Sequence, residues 1–134
     1  MKYNGIIENK LRVIEEKVEM IQSWSIDSFS KLQTSSVLQN AVERALQVAI
    51  EAMIDIAERI LALKKIPPQK TSSGSMKKLQ EFKILKNASD YEEMIRFRNF
   101  IVHRYDKIDL KIVYNIISKM LPRFYQFVDE IRNT

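Results

Sequence analysis

Between Met94 and Asp109 the chain reads MIRFRNFIVHRYDKID, a segment holding Arg98, Asn99, His103, Arg104 and Tyr105. His103 is the only histidine in the protein. An imidazole titrates near neutrality and can take or give a proton. A guanidinium offers a fixed fork of donors, suited to a phosphate whose negative charge grows in a transition state. Arg98 and His103 together therefore fit metal-free cleavage of RNA, in which a 2′-hydroxyl attacks its neighbouring phosphate. Asn99 would hold the imidazole or a phosphate oxygen. Arg96, Arg104 and Lys107 would supply cations for the RNA backbone.

Helical spacing sets terms for that chemistry. Asn99 and His103, four apart, share a face, and Arg98 and Tyr105, seven apart, share an adjacent one. Arg98 and His103 are five apart, roughly 140° around the axis. They converge only if the arginine bends inward or the helix frays near His103. Transesterification works best with one group taking a proton and another giving one. A chain with a single histidine supplies both by pairing with a second copy, so a two-fold homodimer with a composite cleft is expected. Each residue also has a plain reading: a packed or surface histidine, solvated arginines, a tyrosine at the core edge. Only their joint spacing points beyond it. Glu51 and Asp55 are four apart on an otherwise apolar helix, with Glu58 continuing the stripe. They are either a solvated face paired with Arg44 or Arg59, or supporting groups that orient Arg98 or His103. A metal site built on these two carboxylates needs more ligands than the sequence supplies, so no metal is expected.

The elements that must carry these residues follow from apolar periodicity. Ile7, Leu11, Ile14, Val18 and Ile21 alternate spacings of four and three, a narrow helical stripe from about Asn4 to Trp24. Small polar residues at 25–30 break it, and a short helical turn is expected around Phe29 and Leu32. A second, densely apolar helix is expected from a capping box of Ser36 and Gln39 to about Leu63, stopped by Ile66-Pro67-Pro68. Thr71 to Ser75 reads as a mobile loop, and a short helix is expected from about Met76 to Leu85. Ser89 and Glu92 form a second capping-box pattern, opening the motif helix at Asp90. Asp109 can cap a last helix whose stripe runs from Leu110 to Ile131, kinked or divided at Pro122.

Two glycines and three prolines in 134 residues are too few for the turns of an all-β protein. The expected fold is an all-α antiparallel bundle of four main helices with a short fifth, in one domain. The absence of cysteine removes disulfides, thiolate metal sites and a cysteine nucleophile. No apolar leader opens the chain, and the most apolar stretch, Ala45 to Leu63, is broken by Glu51, Asp55, Glu58 and Arg59. That is a buried helix rather than a membrane span, and a cytoplasmic protein is expected. The net charge of +5 favours a polyanionic partner, although a basic surface without function explains it equally. No glycine-rich phosphate loop and no nucleophile elbow is present.

The run from Arg98 to Tyr105 resembles the Arg-Asn-x-x-x-His-x-Tyr motif of the HEPN superfamily, specifically its HepT-like toxin branch. Ala41 to Gln47, with Ile50-Glu51-Ala52 and Asp55-Ile56-Ala57, is similar to that branch's second helix, and the likeness extends from about Phe29 to the C-terminus. It implies a metal-independent, dimeric endoribonuclease toxin with Arg98 and His103 at the dimer cleft and no cofactor of its own. It also implies a partner, a minimal nucleotidyltransferase antitoxin that uses ATP to place AMP on Tyr105. AMP beside the cleft adds bulk and negative charge where RNA phosphate must dock. At Arg96 and Arg104 the chain departs from the family pattern, which often has small residues there. The competing readings are a non-catalytic docking subunit of a nucleotidyltransferase complex and a helical adaptor dimer.

Overall fold

The computed structural model describes residues 5–103 and 107–134. Helix α1, Gly5–Ser23, buries all five residues of its predicted stripe. Their alternating spacing keeps them on one side of a 3.6-residue helix, and that side packs on the central helix. The short α2, Phe29–Gln33, is capped by the Ser28 hydroxyl, which accepts from the Lys31 amide at 3.2 Å. Phe29 meets Tyr114 edge to face at 5.9 Å.

Helix α3, Ser36–Leu63, buries side chains around most of its girth, as its dense apolar pattern requires. Its N-cap lies one residue earlier than expected. Ser35 Oγ accepts from Leu38 N at 3.1 Å, and Ser36 is the first helical residue. Gln39 does not close a capping box. Its amide donates to the carbonyls of Leu32 and Gln33, satisfying the free C-terminal end of α2. The end of α3 comes before the prolines. Lys65 adopts a left-handed φ of 60°. Ile66 N then bonds Leu61 O at 2.9 Å and Lys65 N bonds Ala62 O at 3.0 Å, the pair that closes a Schellman motif.

The expected loop at Thr71 to Ser75 is instead the first turn of α4, Ser72–Glu81. Thr71 Oγ1 accepts from Gly74 N at 2.9 Å, and Ser75 is buried beside Met76. A serine-rich stretch reads as loop by composition. Here an N-cap and burial against α3 outweigh its weak helix propensity. Helix α4 ends earlier than expected, at a second Schellman motif with Lys83 at φ 61°. Ile84 N bonds Leu79 O and Lys83 N bonds Gln80 O, both at 2.9 Å.

Ser89 and Glu92 do not form a capping box either. Ala88–Tyr91 is a 3₁₀ turn, with the Ala88 amide donating to Gln80 Oε1 at 2.7 Å. Tyr91, fully buried, meets Phe127 edge to face at 5.3 Å and donates its hydroxyl to Glu130. Burial and then the Glu130 carboxylate push its hydroxyl well above the ordinary tyrosine range. Helix α5, Glu92–His103, follows. The C-terminal run is α6, Leu110–Asn115, a π turn over Ile116–Met120, and α7, Leu121–Arg132. Asp109 caps it as expected, accepting from Lys111 N at 2.9 Å. The division near Pro122 is also as expected, since proline has no amide for the ladder and the backbone widens into a π turn just before it.

Helix α7 lies antiparallel to α1. The Arg132 guanidinium reaches Glu8 at 2.7 Å and Glu15 at 2.9 Å, while Tyr125 meets Gln22 at the other end. The expected all-α bundle is thus observed, with α1, α3, α5 and the α6–α7 run as its long members around one contiguous apolar core.

A left-handed backbone strains any residue with a Cβ, so Lys65 and Lys83 occupy positions that favour glycine. Lys65→Gly and Lys83→Gly are each expected to raise the unfolding free energy by about 0.5–1 kcal/mol. The check is a higher urea midpoint with an unchanged denaturant slope.

Candidate active site

Helix α5 has Met94, Ile95 and Phe97 on its buried side. Its first turn carries Glu92 and Glu93, negative charges at the helix end where the backbone dipole favours them, and its last turn carries His103. Two contacts anchor its start. Ser73 on α4 donates to Glu92 at 3.4 Å, and Asn115 on α6 donates to Glu93 at 3.3 Å.

Arg98 is half-buried, one residue beyond Phe97. Its Nη1 donates to Asn99 Oδ1 at 3.2 Å, and its Nε is buried without an acceptor among the described residues. An ionised donor left unsatisfied costs more than the ~1–3 kcal/mol of a neutral one, so this Nε is a place where an anionic acceptor would be favourable. His103 lies exposed at the last turn. Among the described residues no hydrogen bond joins it to Arg98, and α5 is unbroken between them. Asn99, half-buried, is joined to Arg98 rather than to the imidazole. Within one protomer, then, Arg98 and Asn99 come together and His103 stands apart from the arginine.

The open side of α5 faces a groove of about 520 Å³ shared with the start of α6. Arg96 and Lys107 both line it, together with Glu93, Phe97, Phe100 and Asp109, among others. Arg96, Phe100 and His103, at steps of four and three, fall on one helical face. Two of the three cations expected for a phosphate backbone therefore line one groove, and Arg96 shares its helical face with the histidine. The third, Arg104, lies outside the described residues, as does Tyr105. Phe100 escaped the sequence reading because a lone aromatic on a helix reads as core. It is 43% exposed, and Val102 and Ile112 nearby in sequence and groove are 50% and 52% exposed. The signal for it was its place one turn after Arg96 and one turn before His103.

Asp55 pairs with Arg59, one of the two alternatives the sequence offered, and among the described residues no hydrogen bond joins Glu51 or Asp55 to Arg98 or His103. Glu51 accepts from Gln47 at 2.9 Å. Asp55 takes Lys10 of α1 at 2.7 Å and Arg59 at 2.9 Å. Asp55, and Glu51 one turn before it on the same face, thus project toward the α1 side of α3. Burial alone would raise the Asp55 carboxyl, but hydrogen bonds from Lys10 and Arg59, aided by their charges, hold it below the ordinary carboxylate range. Among the described residues no three histidine or acidic side chains converge. No helix among them is long and apolar enough to cross a membrane.

Residues 14–131 match the family model described as ribonuclease HepT-like. The chain belongs to the HepT-like family. It is 30% identical over 131 residues to an mRNA nuclease HepT of Shewanella oneidensis, covering 96% of this chain and 98% of that protein. A tRNA nuclease HepT of Aphanizomenon flos-aquae is 29% identical over 130 residues, covering 96% of this chain and 88% of that one. Among solved structures, the tri-AMPylated Shewanella oneidensis HEPN toxin in complex with MNT antitoxin superposes with a TM-score of 0.88. It is 29% identical, covering 98% of this chain and 100% of that one. In this HepT-like chain the match takes in all of α3 to α5, so the Arg98-to-His103 segment lies inside it.

Because the folded carboxyl of Asp55 sits below its ordinary value, its contribution is fully present above the unfolded value of about 3.9 and fades as pH falls through the folded one. Asp55→Asn should lower the unfolding free energy at neutral pH, with the gap from wild type closing below about pH 4. Urea titrations across that window check it, and RNA cleavage by the variant should be unchanged.

Proposed function

We propose that this protein is a metal-independent endoribonuclease toxin, acting as a homodimer and neutralised by a nucleotidyltransferase antitoxin. One observation carries the reading: Arg98 holds a buried guanidinium Nε with no acceptor among the described residues, on the same helix that ends in an exposed His103 and lines a groove with Arg96 and Lys107. The family and the nuclease relatives support it.

The separation of Arg98 from His103 within one protomer favours a composite site. The apolar side chains exposed next to the motif, Phe100 and Val102, provide surface for a second copy to cover. In that arrangement one His103 imidazole removes the proton from a ribose 2′-hydroxyl, and the oxygen attacks the adjacent phosphorus. The bond to the 5′-oxygen breaks, and the partner subunit's His103, as imidazolium, delivers the proton to it. A 2′,3′-cyclic phosphate and a 5′-hydroxyl result. Arg98 meets the growing charge on the non-bridging oxygens, helped by the amide donors of Asn99. Arg96, Lys107 and Arg104 grip the flanking backbone.

Tyr105 follows His103 by two residues and is the proposed acceptor of AMP, with ATP consumed by the antitoxin. The tri-AMPylated relative bound to its MNT antitoxin supports this, as does a similar toxin–antitoxin structure with AMP-PNP, also at a TM-score of 0.88. Negative charge placed there repels the RNA phosphate from the groove.

His103→Ala is expected to lower the cleavage rate by about 10²–10⁴-fold with the dimer intact, and Arg98→Ala by about 10²–10³-fold. Cleavage should persist in chelator. A purified dimer that leaves RNA intact would transfer the reading to the docking-subunit alternative. After co-expression with the antitoxin, intact mass is expected to rise by whole AMP units, and Tyr105→Phe to abolish the rise. An unshifted mass in the wild type would remove the modification from the proposal.

A further inference from the structure

The 23 residues from Lys64 to Lys86 hold seven lysines and one acidic residue, Glu81, for a net charge of +6. The whole chain carries +5, so its positive excess resides entirely in this stretch. The stretch spans the end of α3, all of α4 and the approach to the 3₁₀ turn. It lies on the elements that precede α5, not at the end of α5 where His103 stands.

The fold gathers these charges. Lys64 Nζ lies 5.8 Å from the centroid of the Phe82 ring, which brings the ends of α3 and α4 side by side. Lys83 follows at once, and Lys83 and Lys86 line a common cleft of about 300 Å³. Lys64, Lys65, Lys83 and Lys86 are all exposed. The acidic groups nearby are engaged: Glu81 with Lys78 at 2.9 Å, and Glu130 with the Tyr91 hydroxyl and the Lys86 amide. Asp129, exposed, shares the neighbouring cleft with Lys83.

Cations at helix C-termini have an ordinary explanation, the negative end of the backbone dipole. Two such ends amount to about one elementary charge. That leaves most of the lysines unexplained. Two of them also stand at the left-handed positions 65 and 83, where glycine would relieve strain. Phe82, 47% exposed amid the lysines, adds a flat apolar face of the kind on which unpaired bases stack.

We infer that Lys64, Lys65, Lys83 and Lys86, with Phe82, form a second RNA contact, holding the phosphate backbone of a single-stranded stretch away from the cleavage site. The inference rests on the ribonuclease reading for its ligand. The large apolar side chains exposed here are Phe82 and Leu63, with Pro67 and Pro68 beside them in sequence, a small apolar surface among seven lysines, and phosphates need only the lysines.

The test compares wild type with a variant carrying Lys64, Lys65, Lys83 and Lys86→Gln. Binding to a long, fully 2′-O-methylated single-stranded RNA is followed against salt, and cleavage is followed on an unmodified trinucleotide. The variant should bind the long RNA about tenfold or more weakly, with a log–log salt slope shallower by about 3, and cleave the trinucleotide like wild type. Lys65→Gly with Lys83→Gly should melt higher yet lose about 1.4 from the slope, a combination that misfolding cannot produce. Unchanged slope and affinity in the glutamine variant would overturn the inference while leaving the nuclease reading intact. Loss of binding to the antitoxin, or to phosphatidylserine-containing vesicles, with RNA affinity retained would overturn it too. Lysine-dependent RNA binding by a wild type that cleaves neither RNA would uphold this contact and end the nuclease reading instead.

Discussion

Residues five apart on an unbroken α-helix stand about 140° from each other, and the arrangement of this protein's motif follows from that constraint. Met94, Ile95 and Phe97 must face the core, which carries Arg98 to the buried side of α5 and leaves His103 on the open one. The two groups suited to phosphodiester chemistry are thus turned apart within one chain. Burial strips the guanidinium Nε of water, with no acceptor for it among the described residues, while the imidazole stays accessible. The proposed dimer would unite them through a second copy of the helix, on which Phe100 and Val102 are exposed.

Holding α5 in that orientation is the task of the bundle. The 3₁₀ turn before it is pinned by Tyr91, whose ring lies on Phe127 and whose hydroxyl meets Glu130 of α7. Gln126 joins the same network through Asp90 at 2.8 Å, and Arg123 reaches Asp90 at 3.3 Å. Helix α7 is itself locked to α1 by Arg132, whose guanidinium spans Glu8 and Glu15. Those hydrogen bonds, from Glu15 first and Glu8 second, raise its affinity for the proton still further. Polar groups at the helix ends thereby fix rotation and register, which the apolar core leaves loosely specified.

Charge is arranged differently in the two regions. Around the motif, cations are interleaved with Glu93 and Asp109. The lysine excess gathers where α3 and α4 end. If the proposed RNA contact holds, grip and chemistry are separated: remote cations would raise affinity without crowding the groups proposed to move protons.

Periodicity alone was enough for the long helices. The stripe of α1 and the apolar density of α3 admit one packing, because each residue type prefers water or the core regardless of its neighbours. Asp109 and Pro122 were equally legible, since a cap and a missing amide act locally. The motif could be read as a set of residue types, and Arg96 and Lys107 as cations near it. The tertiary fold alone decided what depended on distant partners. Ser35 rather than Ser36 caps α3 because Gln39 is drawn to the end of α2, and Thr71 starts a helix because Ser75 and Met76 find a buried place on α3. Glu51 and Asp55 look as available to Arg98 as to any cation along the chain, yet Gln47 holds one, and Lys10 with Arg59 the other. Residue chemistry is a local property and survives in the sequence; which donor meets which acceptor is set by the rotation of packed helices, which no single segment encodes.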